Sequence, residues 1–260
     1  MQLTLSVITI CFNNLEELKR TCESVDIQTV VPTEHLVIDG STNEEILQWL
    51  RNSPQPSYRR IIHERDQGIS DAFNKGIRNA TGTLTHLLNS GDTYANKEAI
   101  EKVIAVFRQD HLLMWLHSRY IQHRGDMDTV SGVPFDKNKL WRGMRTVAHP
   151  SMFIKKEVYD RHGLYNTGYK IAMDYDMLVR MRDEKNLFLP DTLVYFAPGG
   201  ASNTHFEKGL AEVRKSYQHH ISSSVKQNAW QWRQRLLHRF METRLGKKWF
   251  QWKNQNAQNQ

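Results

Sequence analysis

Over residues 3–110 short apolar runs alternate with segments of helical periodicity, and this alternation restricts the fold more than any other feature. Leu3 to Ile10 is apolar and β-branched, as a strand buried on both faces should be. Asn14 is placed to cap a helix with Leu15, Leu18, Cys22 and Val25 on one face. His35 to Asp39 reads as a second strand and ends in Gly40-Ser41-Thr42-Asn43, which is turn chemistry. Ile46, Leu47, Trp49 and Leu50 suit a second helix, and Arg60 to His63 a short third strand. Ile69, Ala72, Phe73, Gly76, Ile77 and Ala80 recur at offsets of three and four. Thr83 to Leu88 is a fourth strand, and Asn96 precedes a helix with Ile100, Val103, Ile104 and Phe107 inward. Such an order calls for a largely parallel sheet with right-handed crossovers.

The second half is less regular. Leu112 to Arg124, Thr129 to Val133 and Val147 to Ile154 read as strands, mixed or antiparallel. Tyr175 to Lys185 reads as a helix, 187–189 and 193–196 as two short strands around Pro190-Asp191, 198–202 as a loop, and His205 to His220 as a helix.

Ordinary apolar and charged contents, 39% and 24%, describe a globular chain of 260 residues. No run approaches the roughly 18 apolar residues of a membrane span. The apolar start has no preceding Lys or Arg and no cleavage pattern, so it reads as a strand in a cytoplasmic protein. Cys11 and Cys22 form no metal spacing and no disulfide framework. The charge is unevenly placed: residues 226–260 hold eight basic residues and one acid, which is the whole formal net charge of +7. Four of the seven tryptophans, Trp230, Trp232, Trp249 and Trp252, lie there too. Residues 1–225 therefore read as the body, with a first half to about 110, and 226–260 as a separate basic tail.

The first strand–helix junction, Ile10-Cys11-Phe12-Asn13-Asn14, lacks the glycines of a dinucleotide fold, and no Gly-Lys-Ser/Thr phosphate loop exists. A phosphorylated ligand would need a cation to neutralise it. Asp39, closing strand two, reads equally as a contact to a nucleotide base or as a cap for the following turn. Asp92, closing strand four, reads as a metal ligand or as an Asx-turn. Gly91 permits a positive φ that would aim the carboxylate across the strand ends. Two acids closing two strands of one parallel sheet face one crevice, where open α/β sheets bind ligands. That joint placement favours the metal reading of Asp92.

The series Ser6-Val7-Ile8, Phe12-Asn13, Val37-Ile38-Asp39-Gly40-Ser41-Thr42, Asp66 to Gly76 and Leu88-Asn89-Ser90-Gly91-Asp92 resembles glycosyltransferase family 2. The likeness continues through His149-Pro150-Ser151-Met152-Phe153, Ala172-Met173-Asp174-Tyr175-Asp176 and Gly199-Gly200-Ala201-Ser202, and is nearest to the colanic-acid and capsule sugar transferases. It implies a GT-A fold and inverting transfer from a UDP- or GDP-sugar. The resemblance implies that Asp92 binds Mn²⁺ or Mg²⁺, that Asp174 is the general base, and that Asp176 is its reserve. It places donor nucleotide contacts at Cys11, Asp39, Asp66, Lys75 and Asn89. Arg65, His149 and His205 are candidates for diphosphate or acceptor contacts. The chain departs from the pattern at Gly91, where many relatives carry an acid, and in having one glycine after Asp39 where relatives often have two.

Drawn as a helix, the tail gathers Trp230, Leu236, Leu237, Phe240, Met241 and Leu245 on one side, with Arg235, Arg239 and Glu242 opposite. Aromatic and basic residues together suit an anionic membrane surface, contacted through residues 226–253. A helix packed on the body is the alternative. The resemblance implies a lipid-linked oligosaccharide acceptor, and hence peripheral association with the inner face of the bacterial inner membrane. Two rivals remain: a sugar-nucleotide nucleotidyltransferase, and a non-enzymatic membrane- or nucleic-acid-binding module working through the tail. The neutral body and the lack of a recognised motif argue against nucleic acid.

Overall fold

A computed structural model describes residues 3–124, 127–145, 147–198, 205–243 and 245–246. Its centre is one mixed sheet. β1 (Leu5–Cys11) pairs in parallel with β2 (Glu34–Asp39) and β4 (Leu84–Leu87), and β2 with β3 (Arg59–His63). β8 (Met152–Lys155) runs antiparallel to β4 and to β6 (Trp115–Arg124). β6 carries β7 (Met127–Ser131) antiparallel and β9 (Asn186–Phe196) parallel, and β5 (Thr93–Tyr94) closes the edge against β9. The spatial order is β3-β2-β1-β4-β8-β6-β9-β5. Strand order therefore reverses beside β1, and the C-terminal ends of β1 and β4 flank that switch point.

Helices α1 (Leu15–Asp26), α2 (Glu45–Asn52), α3 (Ile69–Asn79) and α4 (Ala99–Gln109) follow the strands of the first half. α5 (Lys156–His162), α6 (Met173–Arg180), α7 (Phe206–His220) and α8 (Val225–Glu242) belong to the second. Alternation along β1 and β2 sorts their side chains between the two faces. Ile8, Leu36 and Ile38 meet Phe73 and Ile77 of α3, whereas Cys11 and Val37 meet Leu18, Cys22 and Ile46 of α1 and α2. A further cluster packs α4, through Ile100, Val103 and Phe107, on Leu5, Val7 and Leu84. Among the described residues no helix is long and apolar enough to cross a membrane.

The α/β alternation of the first half stands as read, and the differences are local. Asn14 occupies the N-cap position of α1, yet its Oδ1 accepts from Phe12 N and not from a helix amide. Asn96 Oδ1 takes Glu98 N in an Asx-turn, so α4 starts three residues later. The segment expected as a strand from Val147 forms a short 3-10 turn at His149–Ser151, because Pro150 has no N–H for a ladder, and extends only from Met152. The two short strands expected around Pro190 are one strand, β9, whose register with β6 slips between Ser118 and Tyr120 and leaves Pro190-Asp191 unpaired. α6 begins at Met173 and ends at Arg180, shorter than its apolar pattern suggests. The loop at 199–202 lies outside the described residues, as does the tail beyond 246.

Candidate active site

At the switch point a cleft of about 440 Å³ is lined by Ile10, Cys11, Phe12, Asp66, Asn89 and Ser90, among others. Strand ends deliver Cys11 and Asn89 to it, and the loop before α3 delivers Asp66. Asp66 Oδ1 accepts from Gly68 N at 2.9 Å, while Oδ2 lies over Gly40. A Cβ at residue 40 would meet that oxygen, so a larger residue there would displace the Asp66 carboxylate.

Beside the cleft three side chains from distant segments meet. Asp92 follows Gly91, whose φ of 101° turns the chain back beneath β9. Thr21 of α1 fixes this turn by accepting from Gly91 N at 2.9 Å and donating to Asp92 O at 2.8 Å. Asp92 is 2% exposed; its Oδ1 accepts from Ala197 N at 2.9 Å, and its Oδ2 is buried with no hydrogen-bond partner. Burial raises its pKa to about 6, against the lowering influence of His149 and of backbone amides.

Asp174 stands in the first turn of α6 but does not cap it; Ala172 holds the N-cap position. The amides of Lys170, Ile171 and Ala172 are taken instead by the carboxylate of Glu212 from α7. Asp174 is thereby free to point at His149, whose Nδ1 lies 3.2 Å from its Oδ2. Its Oδ1 is buried without a partner. The two carboxylates thus match: each has one oxygen held and one unsatisfied, on either side of one imidazole.

His149 Nε2 lies 2.9 Å from Asn89 Nδ2 and 4.0 Å from Asp92 Oδ2, and the ring is walled by Phe73 and Phe196, each 5.8 Å away between centroids. With Asn89 donating, Nε2 accepts and the ring is neutral, carrying its proton on Nδ1 toward Asp174. Burial lowers the imidazole pKa, but Asp174 and Asp92 outweigh it and the net direction is upward. A protonated ring needs an acceptor at Nε2, and turning the Asn89 amide would present its otherwise unpartnered Oδ1 there.

The other expected site residues divide. Asp39 is sealed below the cleft, with Oδ2 at 2.8 Å from His63 Nδ1 and Oδ1 accepting from Ser41 N at 3.0 Å. Its Oδ1 also lies 3.7 Å from Cys11 Sγ. Asp39 thus engages its neighbours, His63 and the turn at Ser41, just below the cleft. Burial, then the Asp39 carboxylate, push the Cys11 thiol far above its ordinary range, so Cys11 is a neutral wall. Lys75 is engaged by the loop before α3. Its ammonium holds the Glu64 and Arg65 carbonyls and lies 3.2 Å from the Glu64 carboxylate, bracing the loop rather than facing the cleft. Arg65 is exposed and does not line the cleft. Asp176, the reserve base, is 1% exposed with both oxygens engaged, by Arg180 Nε at 2.9 Å and by Ser216 Oγ and His220 Nε2 at 2.9 and 3.0 Å. It clamps α6 to α7. His205 sits exposed at the N-cap of α7. His63, Thr21, Ala197 and Glu212 were not foreseen, since each acts on a partner at least 24 residues away.

No group of three or more His, Cys, Asp or Glu side chains among the described residues is arranged to hold a metal ion. The unpartnered Oδ2 of Asp92 nevertheless fits a hard cation that takes one or two protein carboxylates and fills its shell from phosphate and water.

The model of Glycosyl transferase family 2 matches residues 6–176. A Mycobacterium bovis "PGL/p-HBAD biosynthesis glycosyltransferase" is 27% identical over 210 residues, covering 78% of this chain and 80% of its own length. Among solved structures, S. aureus TarS 1-349 in complex with UDP-GlcNAc superposes with a TM-score of 0.65 at 16% identity, over 88% of this chain and 70% of that one. The mannosyltransferase PcManGT from Pyrobaculum calidifontis, in complex with GDP-Man and Mn²⁺, gives 0.60 at 14%, over 96% and 83%. These superpositions establish the shared α/β GT-A-like fold.

Proposed function

The chain belongs to glycosyltransferase family 2, and from that premise we propose that it is an inverting, metal-dependent enzyme using a UDP- or GDP-sugar. The acceptor is a lipid-linked glycan in the assembly of a bacterial surface polysaccharide, met at the inner face of the inner membrane with residues 226–253 turned toward it. The observation that carries this reading is the matched pair of half-satisfied carboxylates, Asp92 and Asp174, each with one buried unpartnered oxygen, across His149.

In this reading Asp92 Oδ2 holds Mn²⁺ or Mg²⁺, which when bound offsets negative charge on the nucleoside diphosphate. Cys11, Asp66 and Asn89 line the cleft that receives the nucleotide. Asp174 Oδ1 accepts the proton of the acceptor hydroxyl as that oxygen bonds to the anomeric carbon from the face opposite the diphosphate. The bond to the diphosphate breaks with its electron pair leaving on the phosphate oxygen, so configuration inverts. His149 is a positioning residue: its Nδ1–H holds Asp174 Oδ2 and thereby aims Oδ1.

UDP-GlcNAc and GDP-Man in the structural relatives, Mn²⁺ in one of them, and the glycolipid named for the mycobacterial relative support donor, cation and acceptor class respectively. The nucleotidyltransferase alternative needs a glycine-rich basic loop after β1, where this chain has Phe12-Asn13-Asn14. A thermal-shift panel of UDP-, GDP- and dTDP-sugars with and without Mn²⁺ tests the reading. One donor class should stabilise the protein more when Mn²⁺ is present. Asp174→Asn should keep that shift and lose transfer to a lipid-linked acceptor; loss of donor binding in the same variant would remove Asp174 from its role.

A further inference from the structure

The chain from Tyr165 to Ala172 is laced to α3. Asn74 pairs with both the N–H and the C=O of Tyr165, at 2.9 and 2.8 Å, and Ser70 Oγ donates to Tyr169 O at 3.2 Å. From the other side Glu212 accepts the amides of Lys170, Ile171 and Ala172. Lys170 is thus held by its backbone, while its side chain reaches across to the loop before α3. Its Nζ donates to Gln67 O at 3.1 Å and lies 3.7 Å from where a Cβ on Gly68 would stand. Gly68 itself lines the cleft. An ammonium carries three donors, and this is the one hydrogen bond that the Lys170 ammonium makes among the described residues. The residue is otherwise exposed.

The charges around the cleft indicate what such a group can do. Asp66 lines it, and Asp92 and Asp174 stand beside it. A nucleoside diphosphate is negative on both phosphates, so among these carboxylates it meets a repulsion that one metal ion at Asp92 offsets in part. Arg65 does not line the cleft, and the Lys75 ammonium is engaged by the Glu64 and Arg65 carbonyls. We propose that Lys170 is a diphosphate-binding cation of this site, its ammonium turning from Gln67 O to a phosphate oxygen of the bound donor. The contact comes from the second half of the chain to a ligand seated on the first. Lysine meets phosphate as a point charge on a flexible stem, and Gly68 has no side chain to stand in its way. The proposal rests on the glycosyltransferase reading and deepens it. Lys170 and Asp174 lie four residues apart, with the amides that Glu212 holds between them. The group that steadies the departing diphosphate and the group that takes the acceptor's proton are therefore carried on one anchored segment.

Isothermal titration of UDP and of GDP, each with Mn²⁺, into the full chain tests this. Lys170→Met should weaken the diphosphate that the parent binds on the order of tenfold. It should also flatten the fall of affinity with added salt. Lys170→Arg keeps the charge and should recover most of the affinity. Ligand-free melting midpoints should match the parent's in both variants, since the position is exposed. Parent-like affinity in Lys170→Met overturns the proposal. So does a weakened affinity that keeps the parent's salt dependence, or equal impairment by Met and Arg, because losing a mere brace on Gln67 O would act in that way. A parent that binds neither diphosphate removes the glycosyltransferase reading and this role together; a parent that binds one, with Lys170→Met binding it equally, removes Lys170 alone.

Discussion

Asp92 has its carboxyl pKa raised from 3.8 to about 6, with burial as the main cause, and the sign of the consequence follows. The folded chain then holds this proton more tightly than the unfolded chain does. Its destabilising contribution therefore begins as pH rises through about 3.8 and is complete above about 6. The gap corresponds to roughly 3 kcal/mol. A cation removes that penalty and competes with the proton. Stabilisation by Mn²⁺, read as a thermal shift with donor present, should thus be large near about pH 8 and shrink below about pH 6. Asp92→Asn should raise the metal-free melting midpoint at neutral pH and abolish the Mn²⁺ response; a retained response would remove Asp92 as ligand. At His149 the informative contrast is Phe against Asn. His149→Phe deletes the Nδ1–H that holds Asp174 and should lower kcat on the order of a hundredfold with donor KM unchanged. His149→Asn places an N–H near the same point and should recover much of that loss. If Asn and Phe are equally impaired, His149 is packing and nothing more.

Among the elements, α6 shows how the candidate site's geometry is built from structural parts. Glu212 takes the amides of the turn that leads into the helix, and Asp176, paired with Arg180, locks it to Ser216 and His220 of α7. Because Arg180 is nearly buried beside Asp176, Asp176→Ala leaves an uncompensated cation. The expected cost is about 3 kcal/mol, or a fall of roughly 6 to 12 °C in midpoint for a chain of this size. The donor shift should survive at temperatures where the variant is folded. Wild-type stability with transfer lost would return Asp176 to the role of base. The helices α1 to α4 and their strands were legible because burial on one face writes a period of 3.6 or 2 into consecutive residues. The 3-10 turn before β8 was not, although Pro150 was the clue, and the continuous β9 was hidden by Pro190, which a bulge tolerates.

For the whole molecule, the chain alone determined the parallel α/β half, the switch-point cleft and the two acidic strand ends, since strand polarity and side-chain alternation follow from local pattern and short crossovers. It also determined that the tail differs in charge and aromatic content from the body. Folding alone decided which acids kept an unpartnered oxygen. Asp39 and Asp176 acquired partners for both oxygens, whereas Asp92 and Asp174 each kept one oxygen unsatisfied across His149. Folding likewise decided which side of α8 faces out. The reason is that each carboxylate also meets groups far away in the chain, such as His63 for Asp39 and Ala197 for Asp92, brought within hydrogen-bond reach only when the sheet and its helices close.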